Sequence, residues 1–321
     1  MDEMEYILAS KYGIISSALS RVPGGFSAKA YRVTGESGAD YFLKVYDRSL
    51  PTTNFFVERI DVYMPLLDWL SASPNLQGRV LTPIKTLGGA YKAESGNCVY
   101  VLFLFVNGVV PGIHGMTHGQ TIELAEILAR LHDVGEIAPL EKHGLAEDVS
   151  LSFCERLKGY LTKMTKDDIF YDIFASNTDM LVAAVGEIQC LRDAVRIGYS
   201  PLVLCHGDAH GNNVIQSERL VLADWEDLRI APAEADLFIY EWHEHGDTLL
   251  EAYALARRDY RINRELLYFY VLRRRIEDVW VDVQRLTEES PYEVEAAKLS
   301  DLTRQGVEKI HELRHRRKTF F

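Results

Sequence analysis

Cysteine is scarce and scattered in this chain. The four present, Cys98, Cys154, Cys190 and Cys205, show no C-x-x-C spacing, which excludes a zinc knuckle and a disulfide framework and suits reduced thiols. Long apolar runs are also missing. The longest, VYVLFLFV at 99–106, falls far short of the ~20 residues a membrane helix needs. The opening MDEMEYILAS is acidic and lacks the basic-then-apolar order of a signal peptide. A cytoplasmic protein without membrane association is therefore expected. Positive charge is in deficit: 35 Lys plus Arg against 47 Asp plus Glu give a net charge of −12. Such a surface repels polyanions on average, so nucleic acid is a poor substrate or partner, whereas a small cation is attracted. Repeats and low-complexity tracts are absent, and nothing in the sequence speaks to the oligomeric state.

What remains is an ordinary globular composition, 47% hydrophobic and 26% charged over 321 residues, long enough for two packed lobes. After a short amphipathic helix, FSAKAYRV (26–33) and YFLKVY (41–46) have the aromatic and β-branched content of strands, and the turn-rich TGESGAD between them predicts a hairpin. TTNFFVERIDVYMPLLDWLSAS (52–73) has helical spacing behind a threonine suited to N-capping, with Pro65 placed to kink it. RVLTPI (79–84) and CVYVLFLFV (98–106) read as strands, the second apolar on both faces and so central. NGVVPGIHG (107–115) has a hinge composition, dividing a lobe at 1–106 from one at 107–321. Helices dominate beyond it. Thr117 and Gln120 stand in capping-box spacing ahead of Leu124, Leu128 and Leu131, and long helical stretches cover about 150–197 and 234–321. Between them PLVLC and RLVLADW are two short strands, and RHRRK (314–318) complements a helix C-terminus.

Those two strands bracket the chemistry. LCHGDAHGNNV (204–214) holds His206, Asp208 and, five positions after the aspartate, Asn213; Asp224 follows at the end of the second strand. This order suits a phosphoryl-transfer loop, where one carboxylate faces the acceptor hydroxyl while an amide oxygen and a second carboxylate hold magnesium between the phosphates. Lys44 lies among apolar strand residues and needs a partner if buried. Glu58 on the next helix is the expected one, with Asp61 one turn later as the alternative. PGGFSAKA (23–30) can fold over a triphosphate with Gly25 and Ser27, and the backbones of Leu104 and Val106 are placed to meet an adenine edge.

HGDAHGNN, LADWED, FLKVY, FLFVNG and LARLH together resemble the aminoglycoside phosphotransferase family over nearly the whole chain. The resemblance implies an α+β, bilobal protein-kinase-like fold: a small N-terminal antiparallel-sheet lobe with one main helix, and a larger, mostly helical C-terminal lobe. It also implies ATP- and Mg2+-dependent phosphorylation of a small hydroxyl compound. On that pattern Asp208 is the catalytic base, Asn213 and Asp224 are metal ligands, and Lys44 is the phosphate lysine with Glu58 as its partner. His206 orders the loop, and Asp236 braces it.

Nine acids face one base, Arg229, between Asp224 and Glu251, which points to a cationic acceptor such as an aminoglycoside or aminocyclitol. Glu226 and Asp227 are the acceptor residues tied to the active strand, with Glu277 and Asp278 of a later helix as further candidates. Three other readings stay open. One is a metabolic kinase acting on choline, homoserine or a sugar; another is a nucleotide-binding module without catalysis. The third is a metal hydrolase, since His206, Asp208 and His210 alternate along the chain.

Overall fold

The computed structural model describes residues 3–22, 28–134, 144–196, 201–242, 244–289 and 293–317. Ten strands and ten α-helices are found among them. The chain opens with α1 (Glu3–Ile7) and a π-helical turn, Leu8–Tyr12, then enters an antiparallel sheet. Its strands are β1 (Ser16–Val22), β2 (Lys29–Gly35), β3 (Asp40–Asp47), β4 (Pro83–Ile84), β5 (Ala93–Ser95) and β6 (Cys98–Leu104), in the spatial order β1-β2-β3-β6-β4 with β5 also on β6. The predicted hairpin is β2–β3, and the doubly apolar 98–106 segment supplies β6, flanked on both sides. Edge strand β1 escapes the sequence reading because SSALSRV carries no buried residue, and the expected 79–84 strand is trimmed to Pro83–Ile84.

The period of two along β3 positions the site. Leu43 and Val45 lie opposite Leu102 and Tyr100, and all four join Ile7, Leu8 and Tyr12 in one apolar cluster. Each such side chain contributes about 1.5–3 kcal/mol when fully buried. Lys44 and Tyr46 must therefore project from the opposite face. That face meets α2 (Pro51–Ala72), which buries Val57, Ile60, Met64 and Leu67. Proline at the first position starts α2, with Leu50 at the cap in place of the expected threonine cap, and the helix continues through Pro65.

Beyond residues 107–115, α3 (His118–Asp133) begins with the expected capping box: Gln120 N–H donates to Thr117 Oγ1, and Thr117 N–H to Gln120 Oε1. It packs on α8 (Gly246–Ala256). Strands β7 (Leu202–Cys205), β8 (Val214–Gln216), β9 (Leu220–Leu222) and β10 (Arg229–Pro232) surround the motif residues; β8 and β9 form a hairpin. The remaining helices are α4 (Ser152–Lys163), α5 (Tyr171–Phe174), α6 (Thr178–Arg196), α7 (Glu234–Leu237), α9 (Arg264–Glu288) and α10 (Glu293–His315). Of these, α9 is central, packing on α4, α6, α7 and α10.

Packing divides the chain into two units. Met1–Ala146, Val203–Ile230 and Trp242–Arg258 form one; Glu147–Leu202, Ala231–Glu241 and Asp259–Phe321 form the other. The antiparallel sheet and the whole motif from His206 to Asp227 thus belong to one unit. Among the described residues no helix is long and apolar enough to cross a membrane.

Candidate active site

The 205–213 turn is built by histidine and glycine. His206 is fully buried, its ring 4.6 Å from that of Trp225. Its Nδ1 accepts the Asp208 N–H at 3.2 Å, so Nε2 carries the proton and donates to the Ala223 carbonyl at 2.9 Å. One side chain therefore ties the loop to the end of β9. No lone pair is left for a metal. His210 Nδ1 likewise accepts the Asn212 N–H at 3.3 Å, so the metal-hydrolase alternative lacks its ligand set. Gly207 has φ 85°, and a Cβ there would lie 2.6 Å from the Asp227 carbonyl oxygen, so only glycine lets the two turns approach.

Asp208 and Asn213 meet as their spacing predicts. The Asn213 amide nitrogen donates to the Asp208 carbonyl at 2.8 Å and to its carboxylate Oδ2 at 2.9 Å, while His210 Nε2 lies 3.4 Å from the same Oδ2. With the amide nitrogen so engaged, Asn213 Oδ1 is the atom available to a cation. Asp224 follows β9 in a left-handed conformation, φ 65° and ψ 61°, one of two non-glycine residues among those described with positive φ. Asp and Asn enter this left-handed region more readily than other non-glycine residues.

Lys44 reaches this turn from 180 residues away in sequence. Its Nζ donates to Asp224 Oδ1 and, at 2.6 Å, to Glu226 Oε1. Tyr46, two residues along the same strand face, donates its hydroxyl to that same Glu226 oxygen. Burial alone would depress the Lys44 pKa; the Asp224 and Glu226 carboxylates overcome it and hold the ammonium above its ordinary value. Burial likewise pushes the Glu226 carboxyl above the usual range, and Lys44 offsets only part of the effect. The Tyr46 and Tyr63 hydroxyls are both raised by burial first and by the neighbouring Glu226 charge second.

Two expected assignments change. Glu58 is exposed and is not among the Lys44 partners, because the buried stripe Val57–Ile60–Met64–Leu67 rolls it to the opposite side of α2. Asp61 pairs with Lys92 at 2.6 Å instead. Glu226, expected on the acceptor side, is 5% exposed, with its carboxylate bound to Lys44 and Tyr46. The other expected acceptor residues are already paired: Asp227 with Arg229 at 2.9 Å, Asp278 with Arg274 at 2.7 Å, and Glu277 within 4.0 Å of Arg273. Asp236 is fully buried in α7, in the second unit.

Leu104 donates its N–H to the Thr82 carbonyl at 2.9 Å, so an outside donor would meet its carbonyl, and Val106 is half-buried just beyond β6. Gly25 and Ser27 lie outside the described residues. The sequence reading missed Tyr46, Tyr63 and Arg59. Tyr46 was findable from its i+2 relation to Lys44. Arg59, beside Glu58, donates to the backbone carbonyls of Glu226 at 3.1 Å and Leu228 at 2.6 Å.

Several solved structures share this architecture. Spectinomycin phosphotransferase in complex with ADP and spectinomycin superposes with a TM-score of 0.72 at 18% identity, covering 97% of this chain and 98% of its own. An amicoumacin kinase in complex with AMP-PNP, Ca2+ and its ligand gives 0.65 at 13% identity, with 98% and 97% covered. Ethanolamine kinase of Plasmodium vivax gives 0.65 at 14% identity, with 96% and 87% covered. These likenesses establish the α+β, bilobal protein-kinase-like fold. No curated protein matches the sequence. The model of the phosphotransferase enzyme family matches residues 18–267, which includes Lys44, the 206–213 loop and the Asp224 turn, and the chain belongs to that family.

Proposed function

We propose that the protein transfers the γ-phosphate of ATP to a hydroxyl of a small, cationic acceptor, with magnesium as cofactor. One observation carries the reading: Lys44 and Asp224 converge in one unit that also holds the Asp208–Asn213 pair, giving an ammonium, a base and hard oxygen donors in the order phosphoryl transfer requires. The donor set suits Mg2+, since Asn213 offers an amide oxygen and the Asp224 side chain is 36% exposed. Bound there, the metal would offset phosphate charge. Lys44 would bind the α and β phosphates. Asp208, oriented by Asn213, would accept the hydrogen bond of the acceptor hydroxyl and take its proton late in a loose transition state. On this reading 1–106 forms the nucleotide lobe and 107–321 the catalytic and acceptor lobe.

A cationic acceptor is supported by the net charge of −12 and by exposed Glu244, Asp247 and Glu251 in the acid-rich run after Asp236. Among cationic acceptors we favour an aminoglycoside or aminocyclitol. A metabolic amine or sugar is the second reading, favoured by the fold shared with an ethanolamine kinase.

ADP release is measured across aminoglycosides, aminocyclitols, choline, ethanolamine, homoserine and sugars. One class of acceptor should stimulate turnover, and Asp208→Asn should lower it by about 10²-fold or more. An Asp208→Asn protein as active as the parent would remove the proposed base. Stabilisation by ATP with no transfer to any acceptor would favour a nucleotide-binding module instead.

A further inference from the structure

We infer that the residue holding the phosphate lysine in register is Glu226, from the turn that carries Asp224, with α2 contributing an arginine grip on that turn in place of a glutamate side chain. This rests on the phosphotransferase reading above and assigns Glu226 as a positioning residue that acts through Lys44.

Three features converge on it. The Lys44 and Glu226 side chains are 9% and 7% exposed and meet at 2.6 Å, a charge-assisted bond shielded from solvent. Tyr46 donates to the same carboxylate oxygen from the same strand face, so Glu226 clamps two β3 residues at once. Arg59 of α2 holds the main chain of the turn through the Glu226 and Leu228 carbonyls, with its guanidinium against the Phe55 ring. Helix and strand thus both grip the 226–228 segment, while Glu58 is exposed.

The reason for a second carboxylate lies in a conflict at Asp224. A metal ligand cannot serve a cation and a lysine ammonium equally, because each contact with one weakens the hold on the other. Asp224 is the more exposed of the two acids, at 36% against 7%, and so is the one a metal can reach. With Glu226 paired to Lys44, Asp224 could take up a metal without leaving the lysine unpaired. Without the Glu226 charge, Asp224 would be the one carboxylate left to Lys44 among its described partners, and the ammonium would compete with magnesium for it.

ADP binding to the full chain is measured by calorimetry as a function of Mg2+ concentration, for the parent, Glu226→Gln, Tyr46→Phe and Glu58→Gln, with a thermal melt of each. Glu226→Gln should raise the half-saturating Mg2+ concentration by about tenfold or more, the effect of one charge-assisted hydrogen bond. Tyr46→Phe should raise it less and in the same direction, which keeps the test decisive if Glu226→Gln fails to fold. A folded Glu226→Gln protein with the parent's Mg2+ dependence overturns the inference. So does a Tyr46→Phe protein without a rise, or a larger shift in Glu58→Gln than in Glu226→Gln. In each of these the parent still binds Mg·ADP and the phosphotransferase reading stands. A parent that binds no ADP at any Mg2+ concentration overturns both.

Discussion

Asp282 offers a test of burial that is independent of catalysis. It sits on α9, 8% exposed, with Thr303 of α10 donating to its Oδ2 at 3.3 Å. Burial first, and the charge of Asp278 one turn before it second, push its carboxyl from 3.8 up to about 7; the Thr303 bond and Arg285 pull downward without cancelling this. A raised folded pKa means that the native state binds the proton more tightly than the unfolded chain. Stability is therefore lost as pH rises from about 4 to about 7 and is constant above that range. At about 1.4 kcal/mol per pKa unit, the full penalty above neutrality is about 4 kcal/mol. Asparagine has the same shape, still accepts from Thr303 and never ionises. Asp282→Asn should consequently gain stability over the parent by an amount that widens by about 3 kcal/mol between about pH 5 and about pH 8. Urea unfolding of both proteins at several pH values measures the difference directly, since every other titration cancels. A difference that does not change with pH would refute the reasoning and place Asp282 in contact with water or a cation.

Two further substitutions follow from the packing. Gly207→Ala forces a Cβ to 2.6 Å from the Asp227 carbonyl at φ 85°, and should cost about 2 kcal/mol or more in urea unfolding while weakening Mg·ADP binding; a neutral effect would mean the two turns can separate freely. Glu147→Gln strips the charge from a carboxylate that binds Arg273 and accepts the Tyr270 hydroxyl at 2.5 Å, both ionic side chains being under 10% exposed. It should lose about 3–5 kcal/mol by the same assay, and a loss below about 1 kcal/mol would show the pair to be solvated.

What the sequence made legible is what local chemistry dictates. The 206–213 spacing and Asp224 could be read because a loop between two buried strands has few reasons to carry so many polar groups, and the Thr117 capping box because its geometry spans one turn. Lys44 stood out as a lone charge in an apolar strand. Its partner did not, since two acids lay in reach by sequence and the choice depends on how α2 is rotated. The apolar stripe through Val57, Ile60, Met64 and Leu67 already excludes Glu58, because it places that residue on the far side of the helix, but the actual partners, Asp224 and Glu226, are distant in sequence and carry no local signal. The acceptor acids were misjudged for a related reason: a count of charges does not reveal which are neutralised, and Arg229, Arg273 and Arg274 sit beside those chosen. Strands β1 and β8 were lost because short or half-exposed strands lack a strong period.

The left-handed backbone at Asp224 bears on how that position should be probed. Alanine there would delete a carboxylate and at the same time oppose the main-chain geometry, so an inactive variant would conflate lost charge with a rearranged loop. Asparagine tolerates positive φ at least as well as aspartate, and glycine tolerates it freely. An Asn and Gly pair of variants would therefore separate electrostatics from conformation, which an alanine scan through this segment cannot do.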